Sequence, residues 1–356
     1  MLGCLLAKRN VPFLILERNQ TVSQHSRSIG IHPPSVSIFR EIGLESELLR
    51  CANKVTAGIA FVESKMMGEI DFSSQKSEYP FILTLSQSVT ENLLEKQLLK
   101  LAPESLIRNA TVQKIDQKQD IIRISTSDGA EYSCNFLIGC DGKNSMVRES
   151  ADIRFEGIDY PDTYIMGDFE DNVGNRNEAH VYLTRNGLVE SFPHGEKLRR
   201  WVLKTDTYID NFDAVFLATE AKKRTGKAPD VSTNCMLSSF GVQKRIASTF
   251  RQGNILLAGD AAHVVSPIGG QGMNLGWLDA AHLAGILEKP DSKSFDKYAK
   301  LRRRKAIIAA KRADFNMKMG RAFTSVFLKK IMVRLLLASP IQSKLVRQFT
   351  MHGLES

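Results

Sequence analysis

Tryptophan appears twice in 356 residues and cysteine five times. The cysteines, at positions 4, 51, 134, 140 and 235, form no CxxC pair and are odd in number. That argues against a disulfide framework or a thiolate zinc site, and for a reducing, cytoplasmic setting. They read as small buried hydrophobes. No apolar run approaches membrane-spanning length, and no signal peptide opens the chain. Internal repeats and low-complexity tracts are absent as well. The seven histidines show no ligand spacing. No Ser/His/Asp constellation, paired-carboxylate site or metal cluster stands out, so a hydrolytic or metal-centred reading has nothing to rest on.

Net positive charge is also missing from most of the chain. Residues 291–356 hold sixteen Lys and Arg against four acids, which exceeds the formal +9 of the whole sequence. The first 290 residues are therefore net acidic. No nucleic-acid motif accompanies the basic tail, so nucleic acid is a poor explanation for it. A solvated helical face is the first reading, and peripheral contact with an anionic membrane surface the second. In residues 321–338 the apolar side chains point all round the helix, which predicts packing on the protein itself.

What is present concentrates in residues 253–276, GNILLAGDAAHVVSPIGGQGMNLG. The apolar run 255–258 predicts a buried strand, Gly259-Asp260 a turn, and Gly272 the approximate start of a helix. Strand, glycine turn and helix N-terminus converge backbone N–H groups on an electron-rich ligand. Asp260 adds an acceptor suited to sugar or polyol hydroxyls.

Coarse patterning supports mixed α/β structure. Residues 35–49 predict a helix ending near Gly43 or shortly after, and 88–101 an amphipathic helix with Leu93, Leu94, Leu98 and Leu101 at helical spacing. Residues 54–72 suit short strands. Segments 112–115 and 121–125 read as strands, Asp128-Gly129 as a hairpin turn, and 136–139 as a short buried strand. Between 153 and 250 strand-like segments alternate with turns, the pattern of an antiparallel sheet.

Three ordered motifs carry a family resemblance. GDAAH with PxGxQGxN resembles the second FAD-contacting motif of the FAD-dependent aromatic hydroxylases, the single-component flavoprotein monooxygenases. FLIGCDGKNSMVR at 136–148 is similar to their GADGxxSxVR element. Glu17, closing the run 11–16, stands where the family keeps an acid for the adenosine ribose. The resemblance implies an α/β fold with a discontinuous, dinucleotide-binding parallel-sheet FAD domain (1–53, 84–152 and 251–290). An antiparallel-sheet substrate domain (54–83 and 153–250) and a C-terminal helical region (291–356) complete it. The family opens with a strand and a GxGxxG turn, and neither precedes Met-Leu-Gly-Cys-Leu-Leu, which reads as the helix after that turn. Gly3 alone cannot replace the fingerprint. The expectation is an N-terminal truncation through a misplaced start or a fragment, with a degenerate, flavin-poor protein as the alternative.

The resemblance also assigns residues. Arg27 suits the cofactor diphosphate, because a guanidinium keeps its charge and binds bidentately. Gln87 matches a position meeting the ribityl chain or phosphate, although it also lies at a helix start. Asp141 and Gly142, with Ser145 and Arg148 at family spacing, serve FAD and the incoming nicotinamide. Gly259 makes the turn and Asp260 contacts the ribityl chain. Gly270, Gln271, Gly272, Met273 and Asn274 bring amides to the flavin pyrimidine edge, where a helix N-terminus stabilises reduced-flavin charge. Pro267 is positional beside the reactive ring. His263 is expected to satisfy local hydrogen bonds and has no catalytic role.

The activity implied is hydroxylation of a phenolic or other hydrophobic aromatic substrate by O2, using FAD and NAD(P)H through a flavin C4a-hydroperoxide. No protein residue is expected to carry the chemistry. Met166, Tyr182 and Phe192 are candidate pocket residues, each with a plainer reading as sheet core. The alternatives are a flavin reductase or dehydrogenase acting on an isoprenoid or quinone-like molecule, and a non-catalytic homologue that does not retain FAD.

Overall fold

In the computed structural model, residues 1–22, 28–118 and 121–355 are described. In chain order the first elements are α1 (Leu2–Lys8), β1 (Ile15–Glu17), β2 (Gly30–Ile31), α2 (Pro33–Glu41), α3 (Glu45–Cys51), β3 (Asn53–Val55), β4 (Ala57–Val62), β5 (Lys65–Asp71) and β6 (Ile82–Thr84). Then come α4 (Gln87–Leu101), β7 (Leu106–Arg108), β8 (Val112–Lys118), β9 (Ile121–Thr126), β10 (Glu131–Cys134), β11 (Leu137–Gly139) and α5 (Met146–Ser150). The middle supplies β12 (Phe155–Glu170), β13 (Glu178–Thr184), β14 (Gly187–His194), β15 (Leu198–Thr205), α6 (Ala214–Thr225) and β16 (Met236–Ala247). The last stretch holds β17 (Arg251–Gln252), β18 (Ile255–Leu257), β19 (His263–Val264), α7 (Gln271–Leu287), α8 (Ser292–Gly320), α9 (Val326–Leu337) and α10 (Ile341–Phe349).

The anticipated α/β architecture is present. Two parallel ladders, β1 with β7 and β11 with β18, form separate sheets among the described residues, and β17 adds antiparallel to β18. α1, α4 and α7 pack around them, and Gly3 lets α1 approach closely, since a Cβ there would sit 2.8 Å from Ile15 Cδ1. The opening helix read from the sequence is thus α1. The predicted 35–49 helix divides into α2 and α3, because the break at Gly43 takes a left-handed φ of +78°.

The larger sheet has the order β19-β16-β12-β15-β14-β13-β4-β5 and is antiparallel except between β13 and β4. Its strand period of two sorts side chains onto two faces. One face carries Ile165, Tyr182, Trp201 and Leu203 against Leu217 and Ala221 of α6. That helix is fixed at both ends, by Asp213 accepting from Phe216 N at 2.7 Å and by left-handed Gly226. The opposite, inward face carries Tyr164, Met166, Leu188 and Val202, and packs on Ile268, Met317 of α8 and Val333 of α9. Tyr182 therefore faces α6, which supports its plainer reading as core.

α8 joins the two halves. Tyr298 and Arg302 reach the β18–α7 region, while Asp314 bonds Lys244 and Tyr160 of the large sheet. The all-round apolar segment 321–338 packs only in part. Val333 is buried, yet Phe327, Leu328 and Leu335 are 71%, 64% and 60% exposed, so a helix apolar on every side has more surface than its neighbours cover.

Candidate functional site

The parallel register of β11 and β18, with Gly139 opposite Leu257, makes both strands end on the same side. Their turns, Asp141-Gly142 and Gly259-Asp260, are thereby brought together, as the resemblance required. Arg148 ties them. Its buried guanidinium donates to Ala261 O at 3.1 Å and lies 3.9 Å from the Phe155 ring centroid. Ser145 caps α5, accepting from Arg148 N at 2.9 Å. The Asp141 carboxylate accepts from Ser145 Oγ and, at 3.0 Å, from Val147 N. Asp141 is thus engaged in shaping its own turn.

Asp260 differs. It is exposed, and among the described residues its carboxylate has no hydrogen-bond partner. Partial desolvation by the surrounding protein raises its pKa from the ordinary value, against the pull of His263 and Lys143. An acceptor held at a strand end with its lone pairs free is what a polyol would need.

Behind it lies a buried network that sequence reasoning missed. Asp279 accepts from Gly259 N at 3.0 Å, faces His263 Nε2 at 2.6 Å and accepts from Arg302 Nε at 2.7 Å. Both carboxylate partners and Asp279 itself are at most 1% exposed. Burial pushes Asp279 up, but the charges of His263 and Arg302 and their hydrogen bonds hold it below the usual carboxylate value. His263 therefore has the local hydrogen-bonding role expected of it. The one sequence signal was an aspartate inside the apolar run of α7. Arg302, within an Arg-Arg-Arg run, carried none.

At Gly259 φ is +60°, and a Cβ at Gly276 would lie 3.2 Å from Gly259 Cα, so turn and helix meet at van der Waals distance. α7 starts from left-handed Gly270 with no side-chain cap, leaving the first-turn amides to other acceptors. Pro267 O accepts from Gly270 N at 2.8 Å. Asn274 is fully buried: its Oδ1 accepts from His32 N at 2.9 Å, and its Nδ2 donates to Gly30 O at 2.9 Å and Gly270 O at 3.0 Å. Gln271 is buried and donates to Gln348 O at 3.3 Å, whereas Gly272 and Met273 are half-buried. The side chains of Gln271 and Asn274 therefore hold the loop.

Gln87 begins α4 and accepts from Ser28 N at 3.3 Å, beside the segment that leads to Arg27. Arg27 itself lies outside the described residues. Glu17 ends β1, where its carboxylate accepts from Asn19 N at 2.8 Å, on a ladder separate from Asp141 and Asp260. Two open clefts lie elsewhere, one of about 570 Å³ beside Phe212 and Phe216 and one of about 600 Å³ beside Tyr79 and His282. Neither touches these turns.

Among the described residues no group of His, Cys, Asp and Glu is placed to hold a metal, and no helix is long and apolar enough to cross a membrane. The polar groups suit an organic ligand with both hydroxyls and an electron-rich edge: a free carboxylate that accepts, and glycine turns and uncapped amides that donate.

Residues 1–312 match the family described as FAD binding domain. The chain is 30% identical over 323 residues to the 12-dehydrotetracycline 5-monooxygenase/anhydrotetracycline 6-monooxygenase of Streptomyces rimosus, covering 80% of this chain and 59% of that protein. It therefore spans well under two thirds of that relative. It is 28% identical over 319 residues to the para-nitrophenol 4-monooxygenase of a Pseudomonas species, covering 84% of this chain and 78% of that one. The crystal structure of p-nitrophenol 4-monooxygenase from Pseudomonas putida superposes with a TM-score of 0.87 at 23% identity, covering 100% of this chain and 95% of that one. At that identity the superposition establishes the fold.

Proposed function

The chain belongs to the FAD binding domain family, and on that premise we propose that it is an FAD-dependent monooxygenase. Its substrate would be a phenolic or other hydrophobic aromatic molecule, hydroxylated with O2 and NAD(P)H. The observation that carries the reading is the side-by-side delivery of Asp141-Gly142 and Gly259-Asp260 by β11 and β18, with uncapped α7 following. Asp260 would hold the ribityl hydroxyls, and the first-turn amides of α7 would meet the anionic pyrimidine edge. Gln87 and Arg27 would serve the phosphates, Glu17 the adenosine ribose, and Pro267 the placement of the ring. Asp141 and Gly142 would shape the approach, with the Asp141 carboxylate acting on its own turn.

The bound flavin would supply oxygen activation, which protein side chains cannot provide. The protein's share is orientation and the exclusion of water between the inward sheet face and the 267–270 loop. All five cysteines are free thiols, which supports a reducing, cytoplasmic setting.

The test is direct. FAD titrated into the protein should lose fluorescence and acquire protein-bound absorption near ~450 nm. The loaded protein should then couple substrate-dependent NAD(P)H oxidation to O2 uptake, with label from 18O2 in the product. A protein that ignores excess FAD rejects the proposal. NAD(P)H oxidation that leaves no label in the product would point instead to a reductase.

A further inference from the structure

The inward face of the large sheet mixes an apolar cluster with charged groups that are paired, such as Arg200 with Asp168, and one carboxyl that is not. Glu190 on β14 is 8% exposed, between Val181 and Val202 on the neighbouring strands. Among the described residues its carboxyl has neither a hydrogen bond nor an ion pair. Tyr164 on β12 is 1% exposed, stacks on Phe240 with centroids 5.3 Å apart, and its hydroxyl also lacks a partner. The Glu190 charge acts on that phenol electrostatically. Leaving two polar groups unpaired in an apolar cluster is costly, so the pair calls for a third group that completes it. The same cluster includes Ile268, the neighbour of Pro267. Glu190 and Tyr164 therefore lie on the face that covers the candidate flavin loop.

The cations on this side are already committed. Arg200 forms a two-point pair with Asp168, each contact 2.7 Å. Arg321 does the same with Asp162 at 3.1 and 2.7 Å. Lys204 donates to Thr205 O at 3.3 Å and lies 4.0 Å from Asp162, and Lys329 of α9 donates to Met319 O at 2.5 Å. Among the described residues each of these cations already has an acid or a carbonyl as partner.

We propose that Glu190 and the Tyr164 hydroxyl form the polar end of the substrate site, selecting a neutral aromatic that carries a hydrogen-bond donor. A phenol or an arylamine qualifies; an aromatic carboxylate does not. This rests on the monooxygenase reading and narrows its substrate class. The ligand's O–H or N–H donates to Glu190, and its ring lies toward the 267–270 loop, whose Ile268 packs on this face. Burial alone pushes the Glu190 carboxyl up to about 7. The other ionisable groups on this side are His194 from β14, Tyr164, Asp162 and Asp168 from β12, Arg200 and Lys204 from β15, Arg321 after α8 and Lys329 from α9. Above pH 7 the ionised carboxylate accepts a charge-assisted hydrogen bond.

Calorimetric titration of the wild-type protein with 4-methylphenol, its methyl ether and 4-methylbenzoate tests this without requiring bound flavin. Failure to bind FAD would defeat the proposed activity and leave this comparison readable. At pH 8 the phenol should bind about tenfold or more tightly than the ether, the size expected for a hydrogen bond to a charged acceptor. The ratio should grow as pH rises through about 7. Glu190→Gln should flatten that pH dependence, and Glu190→Leu should keep the ether while losing the preference for the phenol. Circular dichroism verifies the fold of each variant. Equal affinity for phenol and ether, tighter binding of the benzoate, or no binding of the phenol overturns the proposal, as does an unchanged preference in both variants.

Discussion

Replacing Arg302 with methionine isolates the buried network under the Gly259 turn. Methionine fills a similar volume but removes the donors to Asp279 at 2.7 Å and to Leu354 O at 2.8 Å. Asp279 would remain fully buried with His263 and one backbone amide. Breaking a buried pair from one side costs about 3–5 kcal/mol, because the remaining charge has no adequate compensation. That is a large part of an ordinary domain's ~5–15 kcal/mol. Urea unfolding followed by Trp277 fluorescence, two residues from Asp279, should show the midpoint fall at unchanged slope. The double variant Asp279→Asn/Arg302→Met should recover most of the loss, since a neutral amide still pairs with Gly259 N and His263 but needs no cation. A loss under about 1 kcal/mol, or a double variant no better than the single one, refutes the reasoning.

Other outcomes follow from the same geometry. Asp260→Ala should leave stability within about ±0.5 kcal/mol, as for an exposed unpartnered group, while lowering FAD affinity in fluorescence titration; unchanged affinity would contradict its assigned role. Gly259→Ala forces a Cβ at φ +60° and should cost about 1–2 kcal/mol in urea unfolding. His32 is buried, which lowers its pKa from 6.5 to about 4. The unfolded chain therefore binds the proton first, and stability present above pH 6.5 should decline as pH falls toward 4, by about 3 kcal/mol in total. His32→Asn should remove that slope, and a wild-type slope identical to the variant's would count against a buried neutral imidazole.

Much of this was legible in the sequence because it follows from local patterns. The buried strand 255–257, the Gly259 turn and the α7 start are written in consecutive residues, and the hairpin at Asp128-Gly129 needs only its two turn residues. The pairing of the two acid-glycine turns came from family resemblance, and the β11–β18 register realises it. What stayed hidden depends on distant partners. Asp279 gains meaning only from Arg302, 23 positions later. Asn274 reads as a source of a backbone amide, and the bond of its side chain to Gly30, 244 positions earlier, is not visible from sequence. Glu190 sits in Leu188-Val189-Glu190-Ser191-Phe192, where no clean alternation marks a face, and only the strand pairing puts it inward with Leu188.

The span of α8 has a mechanical consequence. Twenty-nine residues in one helix extend roughly 43 Å, and this girder is riveted near one end to Leu257 and Asp279 and near the other to Tyr160 and Lys244. The two halves cannot swing apart as rigid bodies without tearing those rivets. Access for a flat ring therefore falls to smaller movements, of the glycine-bearing 267–270 segment or of α9, whose Phe327, Leu328 and Leu335 face outward. A cross-link between α9 and β5 should slow ligand exchange, whereas one between the two ends that α8 already joins should leave it unchanged.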